Sequence, residues 1–216
     1  MEYLALGEVT ISNVINFMAI VVVIAVSRSV SKFVTKKCSL LLDMESKARK
    51  HFASRLDTVQ GVNDILDSLI CDCKCERVSL LEFHNGGTNI CGLPFAKISC
   101  THERCSIGVK LASFNIKDYP IALFGYVVAK ALSTKLVMIE SLDSLKATDA
   151  STYQFWTESG AKALCIRVVR NLNDMPLGIL VLEFNRSLSL GTSELDKVTR
   201  AAYAVGVLHS FKESDS

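Results

Sequence analysis

Residues 163–184 read ALCIRVVRNLNDMPLGILVLEF, and this stretch decides the fold. Leu164–Arg170 (LCIRVVR) alternates apolar and polar positions, the pattern of a strand with two different faces. Asn171-Leu172-Asn173-Asp174 then supplies turn chemistry just before Pro176. Leu177–Phe184 (LGILVLEF) is continuously apolar, as expected of a strand covered on both faces. Together they predict a hairpin in the middle of a sheet. A last amphipathic helix follows from near Thr192-Ser193, with Ser193 and Asp196 at capping-box spacing and an apolar stripe of Leu195, Val198, Ala202 and Val205.

Upstream of the hairpin, Arg77–Phe83 (RVSLLEF) reads as a strand closed by the turn residues His84-Asn85-Gly86-Gly87. Phe95–Thr101 (FAKISCT) is a second strand. The region from Cys105 to Leu132 is mixed, with a helix over Ala122–Leu132 after the boundary Asp118-Tyr119-Pro120. Lys135–Glu140 is a short strand, and Ser151–Ser159, carrying Tyr153, Phe155 and Trp156, is a short helix ending near Gly160. Strands interleaved with helices around a hairpin predict an α+β domain with a mainly antiparallel sheet.

The other end of the chain has a different character. No residue from Val9 to Ser27 is charged, and Val14–Val26 (VINFMAIVVVIAV) is almost entirely aliphatic. Such a run is close to the length a helix needs to cross a bilayer. Arg28, Lys32, Lys36 and Lys37 follow directly, which places that flank and everything after it in the cytosol. A cleaved signal peptide would carry its positive charge first, so the order of charges argues against one. Asn13 and Asn16 lie within the run and are suited to helix–helix contacts. Apolar positions then continue at helical spacing through Leu41, Met44, Ala48, Phe52, Leu56 and Val59 to Ile65, Leu66 and Leu69, a stripe that asks for a partner. Gly61 is the expected break between a linker helix and a domain helix. The expected organisation is a tail over 1–8, a transmembrane helix over 9–27, a helical linker over 28–51, a globular domain over 52–211 and a flexible end over 212–216.

A net charge of +2 is too mild to argue for nucleic acid. The basic residues gather in Arg28–Lys50, where they suit anionic lipid headgroups. Eight cysteines would suggest disulfides in a secreted protein. A cytosolic domain keeps them as free thiols.

From about Phe52 to Phe211 the chain resembles the GAF domain family, relatives of PAS sensor domains. The likeness rests on the helix feeding Arg77–Phe83 and on Ala163–Val168 with Pro176–Leu182, a hairpin followed by a closing helix. The resemblance implies a sheet with the terminal helices on one face and a small-molecule pocket on the other. It also implies homodimers formed through the end helices. The implied pocket is bounded by His84–Gly87 and by Phe95–Phe124, with His84, Asn85, Gly86, Phe95, Phe114, Tyr119 and Phe124 as lining residues. No motif for a cyclic nucleotide or a bilin is present, so no cofactor is named. A looser resemblance is to the holins of T-even-type phages, which combine one anchor with an α/β domain outside the inner membrane.

Several clusters carry chemistry. Cys71, Cys73 and Cys75 (CDCKC) supply three thiols that His84, or His102 with Cys105, would complete as a four-ligand zinc site, although C-x-C-x-C is not the usual knuckle spacing. Lys74 favours a nearby thiolate, which suits redox sensing. Thr101-His102-Glu103-Arg104-Cys105 offers a cysteine–histidine pair, with a solvated loop as the simpler reading. Cys91 and Cys100 complete the thiols of a redox alternative. Glu82 and Glu183 sit in echoing strands (LEFH and LEFN), and paired carboxylates on one pocket would do acid–base work. The reading that unites these features is a non-enzymatic, membrane-tethered sensory or regulatory module of the inner membrane, contacting lipid, a second copy, and a small molecule or protein partner. A holin and a cysteine-based switch or enzyme are its alternatives.

Overall fold

The computed structural model describes residues 2–88, 94–112 and 116–213. It divides into two compact units, Met1–Ser54 and Arg55–Ser216. The first unit is helical throughout its described residues, as part of helix α1 (Glu2–Cys73). Its described large apolar side chains face outward, from 44% exposed at Val21 to 67% at Val23, with Phe17, Met18, Val22 and Val26 between. By length and composition α1 is able to cross a membrane.

The second unit is built on a six-stranded sheet in the order β3-β2-β1-β6-β5-β4. The strands are β1 (Arg77–Thr88), β2 (Pro94–Cys105), β3 (Tyr119–Pro120), β4 (Leu136–Ile139), β5 (Ala163–Arg170) and β6 (Pro176–Phe184). Every neighbouring pair is antiparallel. The hairpin β5–β6 is central, which is why β6 is apolar at nearly every position: it is buried from Gly178 to Phe184. Helices α2 (Gly125–Thr134), α3 (Ala150–Glu158) and α4 (Thr192–Glu213) complete the unit.

Alternation along the strands sends side chains to two cores. One side of the sheet carries Leu81, Ile98, Leu164, Ile166, Ile179 and Val181, packed with Val127 and Val128 of α2 and Trp156 of α3. The other side carries Val78, Leu80, Cys165, Leu180 and Leu182, packed with Val62, Leu66 and Leu69 of α1 and Val198, Ala202 and Val205 of α4. The terminal helices thus share one face.

Several local expectations are corrected. Gly61 does not break α1, and its place in the helix puts it against the Leu208 side chain. His84–Gly87 is not a turn but the continuation of β1, because Phe83, His84 and Asn85 pair with Ile98, Lys97 and Ala96 of β2. Thr101–Cys105 is not a loop but the end of β2, where His102, Glu103, Arg104 and Cys105 pair with Leu80, Ser79, Val78 and Arg77. Tyr119–Pro120 is an edge strand, a place that tolerates the missing N–H of proline. The start of α4 is capped by Glu194, whose carboxylate accepts from the Gly191 N–H at 3.0 Å, in place of the Ser193–Asp196 pair. At α3 Asp149 is the cap, accepting from Thr152 N at 3.0 Å.

Candidate functional site

Strand register assembles a charged cluster on the α2/α3 face. Arg77 lies opposite Glu183 of β6 and Cys105 of β2, and Glu103 lies opposite Ser79. Directly paired residues point to the same side of a sheet, so Arg77, Glu103 and Glu183 converge. The Arg77 Nη1 donates to Glu183 Oε2 at 2.5 Å and Nη2 to the Lys110 carbonyl at 2.6 Å. Nε stands 3.0 Å from Glu103 Oε1, without the alignment of a hydrogen bond. Both oxygens of Glu103 accept from Ala112 N, at 2.9 and 3.0 Å. Ser159 Oγ is 2.8 Å from Glu183 Oε2. Arg77 is 3% exposed and Glu183 4%, so the group is out of water.

Burial opposes the charge on Arg77, but Glu183, Cys105 and Glu103 outweigh it and hold the guanidinium firmly protonated. Burial pushes the Glu183 carboxyl up, against the pull of Arg77 and Ser159. A cavity of about 290 Å³ opens beside the cluster, lined by Arg77, Lys110, Ser159, Gly160, Glu183 and Asn185 among others. The cluster ties β1, β2, β6, the end of α3 and the segment after β2 into one corner. Its donors and acceptors are spent largely on each other, which suits a clasp more than a reacting centre.

Among the described side chains, the ligand-lining residues expected from sequence divide between the two faces of the sheet. Tyr119 and Phe124 come together, with ring centroids 6.3 Å apart, in a cluster with Phe155 and Trp156 inside the α2/α3 core. His84 follows Phe83, which packs into that core, so alternation turns His84 to the opposite face. There its Nε2 is 2.8 Å from Ser99 Oγ and 3.6 Å from Asp118 Oδ1. A serine, a histidine and an aspartate meet, but both partners use the same ring nitrogen. A nucleophile–base–orienter relay needs one on each. Asn85 is exposed, at the register shift that precedes the Thr88–Pro94 pair. Gly86 and Phe95 lie in β1 and β2, with only their backbone described, and Phe114 lies outside the described residues.

The thiols are scattered. Cys73 and Cys75 are buried in the α1/α4 core with Cys165, whereas Cys71 is exposed on α1. Cys100 packs at the edge of the α2/α3 core, and Cys105 lies on the Arg77 side. Burial pushes the Cys73 thiol up to about 11, and Cys100 and Cys165 to about 12. Cys75 and Cys105 are raised by the same cause. Burial favours the neutral thiol at each of these positions and disfavours the thiolate there. His102 is half-buried on β2, its Nδ1 3.1 Å from Thr101 Oγ1. Cys91 lies outside the described residues. Among the described residues no group of three or more metal-ligating side chains is placed to hold an ion.

Glu82 and Glu183 do not face one pocket. Glu82 is opposite Gly178 and lies 3.3 Å from His209 of α4, on the other side of the sheet from Glu183. What sequence reasoning missed is Arg77 with Glu103 and Ser159. A signal was available, since Arg77 and Glu183 each bracket an apolar strand destined for burial, and buried charges come paired.

With this geometry in view, the second unit has a GAF-like fold, shown by comparison with solved structures. The GAF domain of Thermosynechococcus elongatus PixJ in its blue-light absorbing form superposes with a TM-score of 0.57 at 12% identity, covering 75% of this chain and 92% of that one. GAF3 of Slr1393 from Synechocystis sp. PCC6803, in its photoproduct state, gives 0.56 at 13% identity, covering 72% and 96%. The GAF domain region of a Geobacter sulfurreducens PCA protein gives 0.54 at 15% identity, covering 74% and 97%. No protein-family model matches the sequence, and no curated protein matches it significantly.

Proposed function

We propose that this chain is a membrane-tethered, non-enzymatic sensory or regulatory module. Residues 9–27 are its single transmembrane helix, 28–51 its juxtamembrane linker and 52–211 its cytosolic GAF-like domain. The observation that carries the reading is the contrast within α1. Val62, Leu66 and Leu69 are buried in the domain's core, whereas Val14, Ile15, Phe17, Met18, Val22 and Val26 are exposed. An aliphatic surface of that kind needs lipid or protein around it, and the basic flank from Arg28 fits the cytosolic headgroup region.

Met44, Phe52, Leu56 and Val59 are also exposed, which supports pairing of this helix with a second copy. The GAF-like fold supports ligand sensing on the α2/α3 face, where the cavity beside Arg77 and the aromatic group of Tyr119 and Phe124 lie. The solved structures of similar fold include a phycoerythrobilin-bound GAF domain, but a bilin is not assigned to this chain.

Membrane-side labelling tests the reading. Cys38 and Cys71 are exposed and accessible to a membrane-impermeant maleimide. The full chain, expressed in cells, is expected to stay in the membrane pellet after alkaline carbonate and to label only after permeabilisation. Release by carbonate would overturn the tether. Labelling in intact cells would overturn the cytosolic placement and favour the holin alternative.

A further inference from the structure

On the opposite side of the sheet from the Arg77 cavity, a larger groove of about 560 Å³ runs between the end of β5, its turn and α4. We propose that this groove is a binding site for a phosphate-bearing small molecule, separate from the sensory face proposed above. Its lining holds four cations, Lys135, Arg167, Arg170 and Arg200, against one carboxylate, Asp174. The volume is that of a small-molecule site, and such sites mix a few convergent polar groups with apolar walls. Here Leu172 and Tyr203 supply the wall, and both are exposed, at 56% and 68%.

The positions of the cations are set by the fold. Lys135 is the left-handed cap that ends α2, with φ at 65°. Arg167 and Arg170 come from β5 on either side of the buried pair Val168 and Val169. Arg200 and Tyr203 lie one helical turn apart on α4, on one side of the helix. Arg170 is fixed but incompletely used: its Nη1 donates to the Asp174 carbonyl at 2.6 Å and lies 3.7 Å from Asp174 Oδ2. Its Nε is buried with no hydrogen-bond partner. An unpaired buried N–H on a charged group is costly, so Arg170 carries donor capacity that Asp174 does not meet. Guanidinium groups recognise phosphate through two parallel donors, which makes three arginines around one cavity a better match to phosphate than to a simple halide.

A soluble organic phosphate and an anionic lipid headgroup offer the same chemistry, and one experiment separates them. Inorganic pyrophosphate is titrated calorimetrically into the full chain held in nanodiscs of neutral lipid. Saturable binding with a Kd below about 1 mM is expected, weakening as salt rises. The Arg167→Gln/Arg200→Gln double variant is expected to bind at least about tenfold more weakly, having lost two charge-assisted contacts. Its thermal unfolding midpoint should match that of the parent. If the double variant fails to fold, Arg200→Gln alone, at an exposed helix position, is read instead. Repeating the titration in nanodiscs containing phosphatidylglycerol assigns the source: competition means the groove takes a headgroup, and unchanged affinity means a soluble phosphate. No saturation by about 1 mM, or equal affinity in the folded variant, overturns the site. Neither result bears on the membrane-side labelling, so the two proposals fail separately.

Discussion

Cys165 shows how little of a residue's chemistry its type discloses. It lies on the α1/α4 side of β5 with no exposed surface, between Leu164 and Ile166, which face the other core. Eight cysteines in the sequence invited a metal or redox reading, yet Cys73, Cys75 and Cys165 behave as small apolar residues of a single core. Their folded-state values lie above that of a thiol in the unfolded chain, so their contribution is complete below that unfolded value and is lost as pH rises through the folded ones. The window runs from about 9, the unfolded thiol, to about 11 for Cys73 and about 12 for Cys165. Above pH 9 the unfolded chain releases protons that the native one keeps, and stability falls. Denaturant unfolding at pH 8 and pH 10 is expected to show a loss of about 1 kcal/mol for each such thiol, and Cys165→Ala should show a shallower loss than the parent. Equal slopes in the two proteins would mean that Cys165 ionises freely in the folded state.

Elements were legible where one periodicity held over many residues. The hairpin Ala163–Phe184, the strand from Arg77 and the helix from Thr192 needed only alternation, turn residues and an apolar stripe. The extension of β1 through His84–Gly87 was hidden because two glycines usually mark a turn, whereas here the pairing of His84, Asn85 and Thr88 with β2 on either side carries the strand through them. The end of β2 was hidden for a related reason. THERC is polar in sequence, but the Glu103 charge is met by Arg77, which is distant along the chain, and its oxygens accept from the Ala112 amide.

Glycines also mark where elements touch. A Cβ at Gly206 of α4 would lie 1.9 Å from the Arg170 carbonyl oxygen, and one at Gly178 of β6 would lie 2.2 Å from the Leu81 carbonyl oxygen. Neither obstacle is a side chain that can swing aside. Gly206→Ala and Gly178→Ala are each expected to cost about 3 kcal/mol or more, since helix or strand must move bodily. Gly125→Ala, with nothing within 4 Å of the new Cβ, is expected to be neutral or to gain up to about 1 kcal/mol from helix propensity. Chemical denaturation of the three variants checks the ranking, and a tolerated Gly206→Ala would refute the close approach of α4 to β5.

At the scale of the whole molecule, the chain carries two kinds of hydrophobic surface, and they call for different environments. The residues that close the two cores run from Val62 to Val205, and every one of them lies in the second unit. The apolar residues of the first unit from Val14 to Val34 remain exposed wherever they are described. A sequence displays both as runs of aliphatic side chains. What separates them is length and cover: the apolar strand β6 ends after nine residues between two packed layers, whereas Val14–Val26 has Asn16 as its one polar residue and no packed layer over its described side chains. A unit with its own closed cores is able to fold alone. A fragment beginning at Arg55 and ending at Ser216 is therefore expected to be soluble without detergent and to unfold in one cooperative transition. Its midpoint should lie within a few degrees of the corresponding transition in the full chain, a shift that about 1 kcal/mol or less would produce. The fragment keeps Leu56 and Val59 exposed but lacks Met44 and Phe52. If the helix before Arg55 pairs two copies, the fragment should be monomeric in sedimentation where the full chain in detergent is dimeric. A fragment that aggregates or melts without cooperativity would show instead that residues 2–54 complete the fold.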